Sequence, residues 1–224
     1  MTENLKIGLI VPPAGDDVPP EAHGLYEDSV EFIARGLGIP RMAPESFDTA
    51  LERLEETVMD LVAQDVNAIS LMGTSLSFYR GVSGNVELEN RMRSSASHVP
   101  VTTLSSSILR ALKSAEARAV SLVTAYDSDM TDRLVSFLES EGINVTRALR
   151  LDIVSIEEVH HLPAARLREA VEECMSTARN ESDALLISCG GLRTLDYVTA
   201  GGDFPVISSS VDGIRDVVHL ARQA

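Results

Sequence analysis

The sequence predicts an α/β protein made of two pseudo-symmetric Rossmann-like lobes, each built on a parallel sheet, with an active site in the cleft between them. Two observations predict this fold. Short apolar runs alternate with longer amphipathic segments, and the runs are continuous, as in strands that helices cover on both faces. The runs also recur in the same order in the two halves of the 224-residue chain, which indicates an internal duplication.

The individual elements follow from these patterns. The chain opens with "MTENLKIGLIVPP", whose short apolar run lacks a basic leader and therefore predicts a first strand rather than a signal peptide. The predicted buried strands are 7–13, 68–74, 99–104, 119–126, 184–191 and 204–210. The predicted helices are 48–64, 84–97, 105–115, 127–141, 163–179 and 211–222. Gly38 and Gly142 fit turns or the carboxyl ends of helices.

Three pairs of segments carry the repeat. "HVPVTTLSSSI" resembles "DFPVISSSVDGI", "KIGLIVPPA" aligns with "RAVSLVTAY", and "AISLMGTSL" aligns with "LLISCGGL". Apolar strands resemble one another by chance, but the shared Pro-Val followed by a run of Ser and Thr argues against chance here. The repeat predicts a first lobe of residues 1–115 plus 209–224 and a second lobe of residues 116–208. Ligands of such sheets bind beyond the carboxyl ends of the strands, which face each other across the cleft.

Charge and hydropathy exclude several classes of partner. The net charge is −15, from 19 Lys and Arg against 34 Asp and Glu, and the basic residues form no stripe. This distribution argues against nucleic acid and against an anionic membrane surface as partners. No apolar run approaches the roughly 18 residues of a membrane span. We therefore expect a cytoplasmic protein, and local hydrogen-bond donors must hold any anionic substrate because the overall field repels it.

The cysteines and histidines predict neither a disulfide nor a metal site. Cys174 falls at helical spacing with apolar neighbours and is predicted to be a small core residue. His160 and His161 are adjacent, which is not a metal-ligand spacing on a helix. The strand ends at 12–13, 73–75, 124–126 and 189–191 carry hydroxyls, one thiol and flexible backbone, but no Asp, Glu, Lys or His. That composition argues against a Schiff-base lysine and a Ser-His-Asp hydrolase.

Cys189 is the strongest candidate for chemistry. It follows a predicted strand and precedes "GGLRTLDYV", which we expect to turn into a helix whose free N–H groups and partial positive charge lower the pKa of the thiol. The alternative is a buried small residue at a strand end. Thr74 and Ser75 follow the corresponding strand of the first half and either bind an oxyanion or cap the next helix. Tyr126 either donates its phenol into the cleft or packs as an ordinary amphipathic residue.

Several longer motifs resemble one known family. "MGTSLSFYRG" (72–81), "TAY" (124–126) and "ISCGGL" (187–192), with "GLIVPPA" and "IARGLG" near the amino terminus, resemble the arylmalonate decarboxylases of the aspartate/glutamate racemase superfamily. The resemblance extends over nearly the whole chain. Racemases and maleate isomerases of that superfamily use two cysteines, one per half, whereas this chain has Cys189 in the second half and Gly73 at the matching place in the first.

The resemblance implies a reaction and a set of site residues. It implies decarboxylation, without a cofactor, of aryl- or alkenyl-malonate dianions through an enediolate that a dioxyanion hole stabilises. The implied catalytic residues are Thr74, Ser75, Tyr126, Cys189 and Gly190, with the Cys189 thiol protonating one face of the carbanion. The implied substrate-binding residues are Pro13, Ile39, Met42, Phe47, Gly73, Leu76, Ile156, Val159 and Gly191. Phe47 stands where the family pattern has Tyr, and this puts substrate preference in doubt more than reaction type.

Other functions remain open at this point. The chain could be a racemase or cis–trans isomerase of a small carboxylate or dicarboxylate, acting with one thiol plus Tyr126 or water. It could also be a non-catalytic module that binds small anions in the cleft. In each case we expect a monomer or a small homo-oligomer.

Overall fold

Two four-stranded parallel sheets organise the fold of the computed structural model, which describes residues 5–200 and 202–224. The first sheet has the strand order β2-β1-β3-β4 and the second the order β6-β5-β7-β8. The strands of the first sheet are β1 (Leu5–Val11), β2 (Val30–Gly36), β3 (Ala68–Leu71) and β4 (Val101–Thr103). Those of the second are β5 (Ala119–Thr124), β6 (Asn144–Arg150), β7 (Ala184–Ser188) and β8 (Val206–Ser208).

Helices flank both sheets. In the first half they are α1 (Pro20–Tyr26), α2 (Pro44–Leu51), α3 (Leu54–Val62), α4 (Thr74–Phe78), α5 (Gly81–Ser95) and α6 (Leu104–Ser114). In the second half they are α7 (Ser128–Ser140), α8 (Ile156–His160), α9 (Ala164–Glu181), α10 (Leu195–Ala200) and α11 (Ser209–Gln223). Within the described residues, no helix combines the length and the apolar character that a membrane span requires.

The internal duplication is confirmed by strand order and by the turns that follow the strands. The Thr103 side chain accepts a hydrogen bond from the Ser106 N–H at the start of α6, and the Ser208 side chain accepts one from the Val211 N–H at the start of α11. The repeated Pro-Val and Ser/Thr segments are therefore equivalent strand-to-helix turns in which a hydroxyl caps the helix. The predicted α/β fold with two pseudo-symmetric lobes is confirmed.

The strands β2 and β6, each at one of the two edges of its sheet, were not predicted from the sequence. Their sequences, "VEFIARG" and "NVTRALR", carry charged residues and are only partly buried, so they lack the continuous apolar run of a central strand. The predicted strands also extended too far at their carboxyl ends. For example, β3 ends at Leu71 and β7 at Ser188, because the chain turns away from each sheet at the cleft. The single helix predicted over 48–64 is two helices, α2 and α3.

The carboxyl-terminal helix α11 packs on the first sheet although it follows the last strand of the second. It contacts α6, β3 and β1. Ile214, Val217 and Val218 of α11 join Ile7 and Leu9 of β1 in one apolar cluster. The division of the chain into residues 1–115 plus 209–224 and residues 116–208 stays a prediction, and residues 1–4 and 201 of those ranges lie outside the described residues.

Candidate active site

A cavity of about 440 Å³ lies between the carboxyl ends of the two sheets, and we call it the interlobe cleft. Every site residue predicted from the sequence lines it. From the first lobe these are Pro13, Ile39, Met42, Phe47, Gly73, Thr74, Ser75 and Leu76. From the second they are Tyr126, Ile156, Val159, Cys189, Gly190 and Gly191. Side chains that are far apart in sequence thus reach one space because parallel strands of both sheets end there.

The turn after β3 presents two hydroxyls to the cleft. Gly73 occupies the cap position of α4, so neither Thr74 nor Ser75 acts as a side-chain cap. The hydroxyl of Ser77 donates to the Thr74 carbonyl at 2.8 Å and lies 2.6 Å from the Ser105 hydroxyl, which ties the turn to α6. The Thr74 Oγ1 is buried and has no hydrogen-bond partner among the described residues. Its position is fixed while its hydrogen-bonding capacity is unused.

Tyr126 brings a second unused hydroxyl to the same space. Its ring packs edge-on against Phe78, with centroids 5.5 Å apart and planes at 69°, and the side chain is 1% exposed. The Tyr126 Oη has no hydrogen-bond partner among residues 5–200 and 202–224. Burial raises the pKa of Tyr126 well above its ordinary value, and the neighbouring Cys189 raises it further. The phenol is therefore protonated, and its hydroxyl lies beside Thr74, Ser188 and Cys189 without a hydrogen bond of ordinary geometry to any of them, which is a costly state for a buried polar group.

Cys189 follows β7 directly and is 6% exposed. Burial raises the pKa of its thiol to about 11, although the Gly191 N–H, the Tyr126 hydroxyl and the Leu192 N–H act in the opposite direction. The expectation of a helix start that lowers this pKa was wrong, since α10 begins only at Leu195. At neutral pH the thiol is therefore almost entirely protonated.

The loop between Cys189 and α10 is held in place by hydrogen bonds to Thr194. The Thr194 N–H donates to Oε1 of Glu21 at 3.2 Å, and its hydroxyl lies 2.9 Å from that of Ser210. The loop also requires a residue without a side chain at position 190, because a Cβ at Gly190 would lie 2.6 Å from the Met72 carbonyl oxygen. A glycine at 190 is what allows the second lobe to approach the first at this point.

The rest of the cleft wall is largely apolar and comes from both lobes. The segment around Arg41 bridges the one around Ser155, and the Met42 N–H donates to the Val154 carbonyl at 2.9 Å. The apolar side chains that this arrangement gathers are Pro13, Ile39, Met42, Phe47, Leu76, Ile156 and Val159. A carboxylate placed against this wall would lose hydration without gaining hydrogen bonds.

A set of polar residues that line the cleft lies away from the strand ends and was not predicted from the sequence; we call this set the rim. The rim consists of Asp17, Glu21, His160, His161 and Arg193. Burial raises the pKa of Glu21 and lowers that of His160. These residues lie on the 12–19 loop, on α1, at the end of α8 and on the loop before α10, which no strand-end pattern reaches. Some of them are neighbours in sequence of predicted site residues, as His160 is of Val159, and this proximity could have been used to predict them.

The other cysteine takes no part in the cleft. Cys174 is a free, fully buried thiol on α9, and its sulfur lies 3.9 Å from the Leu122 carbonyl oxygen. Its predicted place in the core is confirmed. Among the described residues, no group of three or more His, Cys, Asp or Glu side chains is arranged to hold a metal ion.

Comparison with known proteins identifies the type of enzyme. The sequence model of the arylmalonate decarboxylase family matches residues 7–224. Arylmalonate decarboxylase of Bordetella bronchiseptica is 40% identical over 220 residues, which are 96% of this chain and 90% of that protein. A maleate isomerase of Nocardia farcinica is 24% identical over 96% of this chain and 89% of its own length.

The solved structures agree with the sequence relatives. One is a liganded double mutant of arylmalonate decarboxylase in which a glycine is replaced by cysteine and a cysteine by serine. It matches with a TM-score of 0.91 and 38% identity, covering 97% of this chain and 93% of that one. The two-lobed fold and its cleft thus define an enzyme of the aspartate/glutamate racemase superfamily. Within that superfamily the chain belongs to the arylmalonate decarboxylase family and is a carboxy-lyase.

Proposed function

We propose that this chain decarboxylates disubstituted malonates with an aryl or alkenyl substituent, without a cofactor, and protonates the product stereospecifically. The observation that carries the proposal is the group of neutral, unsatisfied donors in the cleft. Thr74 Oγ1 and Tyr126 Oη are both buried without partners, and they line the same cavity as a protonated Cys189 thiol. Donors held in place before the substrate arrives are what stabilises charge that develops in a transition state.

The reaction follows from this arrangement. One carboxylate of the malonate lies against the apolar wall, and the other accepts hydrogen bonds from Thr74, Ser75, Tyr126 and the N–H groups of Cys189 and Gly190. The bond from the α-carbon to the unsolvated carboxylate breaks, and its electron pair passes into the remaining carboxylate as an enediolate. Carbon dioxide leaves. Because neutral CO2 tolerates an apolar wall better than an anion does, the wall favours the product side of this step.

Protonation completes the cycle. The Cys189 thiol transfers its proton to the α-carbon of the enediolate, and the resulting thiolate regains a proton from water. Gly73 occupies the equivalent position of the first lobe and offers no side chain, so only one face of the enediolate meets an acid. A single donor on one face gives one enantiomer of the monoacid. A racemase needs an acid or base on each face.

The direct test is incubation with phenylmalonate in D2O. We expect release of CO2 and phenylacetate that carries deuterium at the α-carbon; with α-methyl-phenylmalonate we expect one enantiomer of the product. A racemase or cis–trans isomerase would exchange α-protons of monoacids or isomerise maleate and release no CO2. A module that only binds anions would give neither product nor exchange. Either of those results would contradict the proposal.

We further propose the biological setting that the sequence suggests, a cytoplasmic enzyme that acts as a monomer or small homo-oligomer on a malonate-type dianion. The net charge of −15 supports the exclusion of nucleic acid and anionic membranes as partners. Size-exclusion chromatography with light scattering would measure the oligomeric state, and a large assembly would contradict this part of the proposal.

A further inference from the structure

The rim of the cleft differs chemically from the interior that the proposed reaction uses. Arg193 is the one lysine or arginine among the described residues that line the cleft. No carboxylate of the described part of the chain lies within ion-pair distance of its guanidinium. A protein with a net charge of −15 thus keeps a guanidinium in the lining of its cleft without a salt bridge, although Glu21 lies near enough for the two charges to interact.

His160 lies on the same side of the mouth. A Cβ at Gly191 would come within 3.5 Å of Cδ2 and Nε2 of the His160 ring, which places the imidazole beside the loop that carries Cys189. His161 differs from it, because its Nδ1 is 2.9 Å from the Glu157 carbonyl oxygen and is already engaged. Burial and the charge of Arg193 both lower the pKa of His160, so at neutral pH the ring is an uncharged donor and acceptor.

Two carboxylates also face this mouth. Glu21 is buried and accepts the Thr194 N–H; burial raises its pKa, while this hydrogen bond and the charge of Arg193 act in the opposite direction. Asp17 is exposed and raises the pKa of His160 slightly, so it lies near the imidazole. Neither carboxylate forms an ion pair with Arg193. Asp17 therefore opposes the binding of an anion without occupying the guanidinium.

We propose that Arg193, assisted by His160, is a specificity residue that selects malonates whose aryl or alkenyl substituent ends in a carboxylate. This inference rests on the proposed function. The apolar wall accounts for the leaving carboxylate and the buried hydroxyls for the retained one, so the substituent is left to extend toward the rim. A guanidinium presents a planar pair of N–H donors that matches a carboxylate. The substrate class is therefore a dianionic malonate with a third carboxylate at the far end of its substituent.

The test compares two substrates and two variants. We expect the wild-type kcat/KM for 4-carboxyphenylmalonate to exceed that for phenylmalonate by about tenfold, mostly through KM, because an ion pair in a cleft is stronger than one in water. Arg193→Gln should abolish this ratio, Arg193→Lys should restore part of it, and Asp17→Asn should increase it. The matched control is Arg168→Gln, an exposed arginine of α9 outside the cleft, which should leave the ratio unchanged.

A binding measurement separates this inference from the proposed function. By calorimetry, the wild type should bind 4-(carboxymethyl)benzoate about tenfold more tightly than phenylacetate, and Arg193→Gln should bind both equally. Carbon dioxide release with a ratio that Arg193→Gln does not change would overturn the inference and leave the proposed function standing. A binding preference that depends on Arg193, without CO2 release, would overturn the proposed function alone. Equal binding of both acids by the wild type would refute the rim as a carboxylate site.

Discussion

The two lobes place different residues at equivalent turns, and the chemistry that we propose for the cleft depends on this difference. β3 and β7 are matching strands of the two sheets, and each is followed by a turn into the cleft. The first turn supplies Gly73 and the hydroxyls of Thr74 and Ser75, whereas the second supplies the Cys189 thiol and two glycines. A duplicated backbone has become asymmetric through its side chains. In the proposed reaction both lobes supply hydrogen-bond donors, but only the second lobe supplies the proton.

The largest effect should follow from removing the proton donor of the second lobe. Cys189→Ser should leave the fold intact and lower kcat for phenylmalonate by about 10³- to 10⁴-fold, since a serine hydroxyl is a far weaker acid than a thiol. Stopped or continuous CO2 assays measure the loss, and circular dichroism checks the fold. The control is Cys174→Ala, which removes the other thiol from a buried position on α9. It should cost about 1 kcal/mol of stability and leave turnover unchanged. Undiminished activity in Cys189→Ser would remove the thiol from the mechanism.

A second prediction separates function from stability at Tyr126. Tyr126→Phe removes a hydroxyl that is unpartnered in the described structure, so the free energy of unfolding should stay the same or rise. Turnover should nevertheless fall by about 10²- to 10³-fold, which is the usual effect of losing one oxyanion donor.

Tyr79→Phe is the matched control for this experiment. The Tyr79 hydroxyl donates to Asp48 at 2.5 Å and lies outside the cleft. Its removal should destabilise the fold by about 1 kcal/mol and leave kcat unchanged. If Tyr126→Phe lost stability and kept its activity, Tyr126 would be a packing residue and the dioxyanion hole would lack its phenol.

The third prediction exchanges the two turns. Gly73→Cys combined with Cys189→Ser should place the acid on the opposite face and reverse the handedness of the product, which chiral chromatography measures. Turnover should exceed that of Cys189→Ser by about tenfold and remain below wild type. The deficit follows from sterics, because a Cβ at Gly73 would lie 2.9 Å from Cβ of Leu76. An unchanged enantiomer would contradict a pseudo-symmetric cleft.

The sequence was informative where an element is buried on both faces and less so elsewhere. The central strands and the order of the repeat were predicted, because continuous apolar runs mark them. The edge strands β2 and β6 were missed because charged residues interrupt their apolar character, unlike β4 and β8 at the opposite edges. The predicted site residues line the cleft because strand ends of both sheets meet there. The rim was missed because its residues belong to loops and short helices. The predicted lowering of the Cys189 pKa was wrong because no sequence pattern showed that the chain stays non-helical until α10 begins at Leu195.

The smallest effect concerns pH, and it tests the corrected view of Cys189. The thiol must be protonated to act, and burial raises its pKa from 9.0 to about 11. Activity should therefore be level from pH 7 to about pH 9 and fall only as the pH rises through about 11. A thiol with a lowered pKa would already lose activity below pH 8.

Stability should depend on pH in the same direction as activity. The folded state favours the protonated thiol, so the contribution of Cys189 to the free energy of unfolding is complete below pH 9.0 and is lost as the pH rises through about 11. A kcat/KM profile with a single alkaline limb near 11 that is absent from the residual activity of Cys189→Ser would assign the limb to this thiol. An alkaline limb near pH 7 would show that the second lobe supplies a thiolate. The turn after β7 would then carry a nucleophile, whereas the turn after β3 carries hydrogen-bond donors.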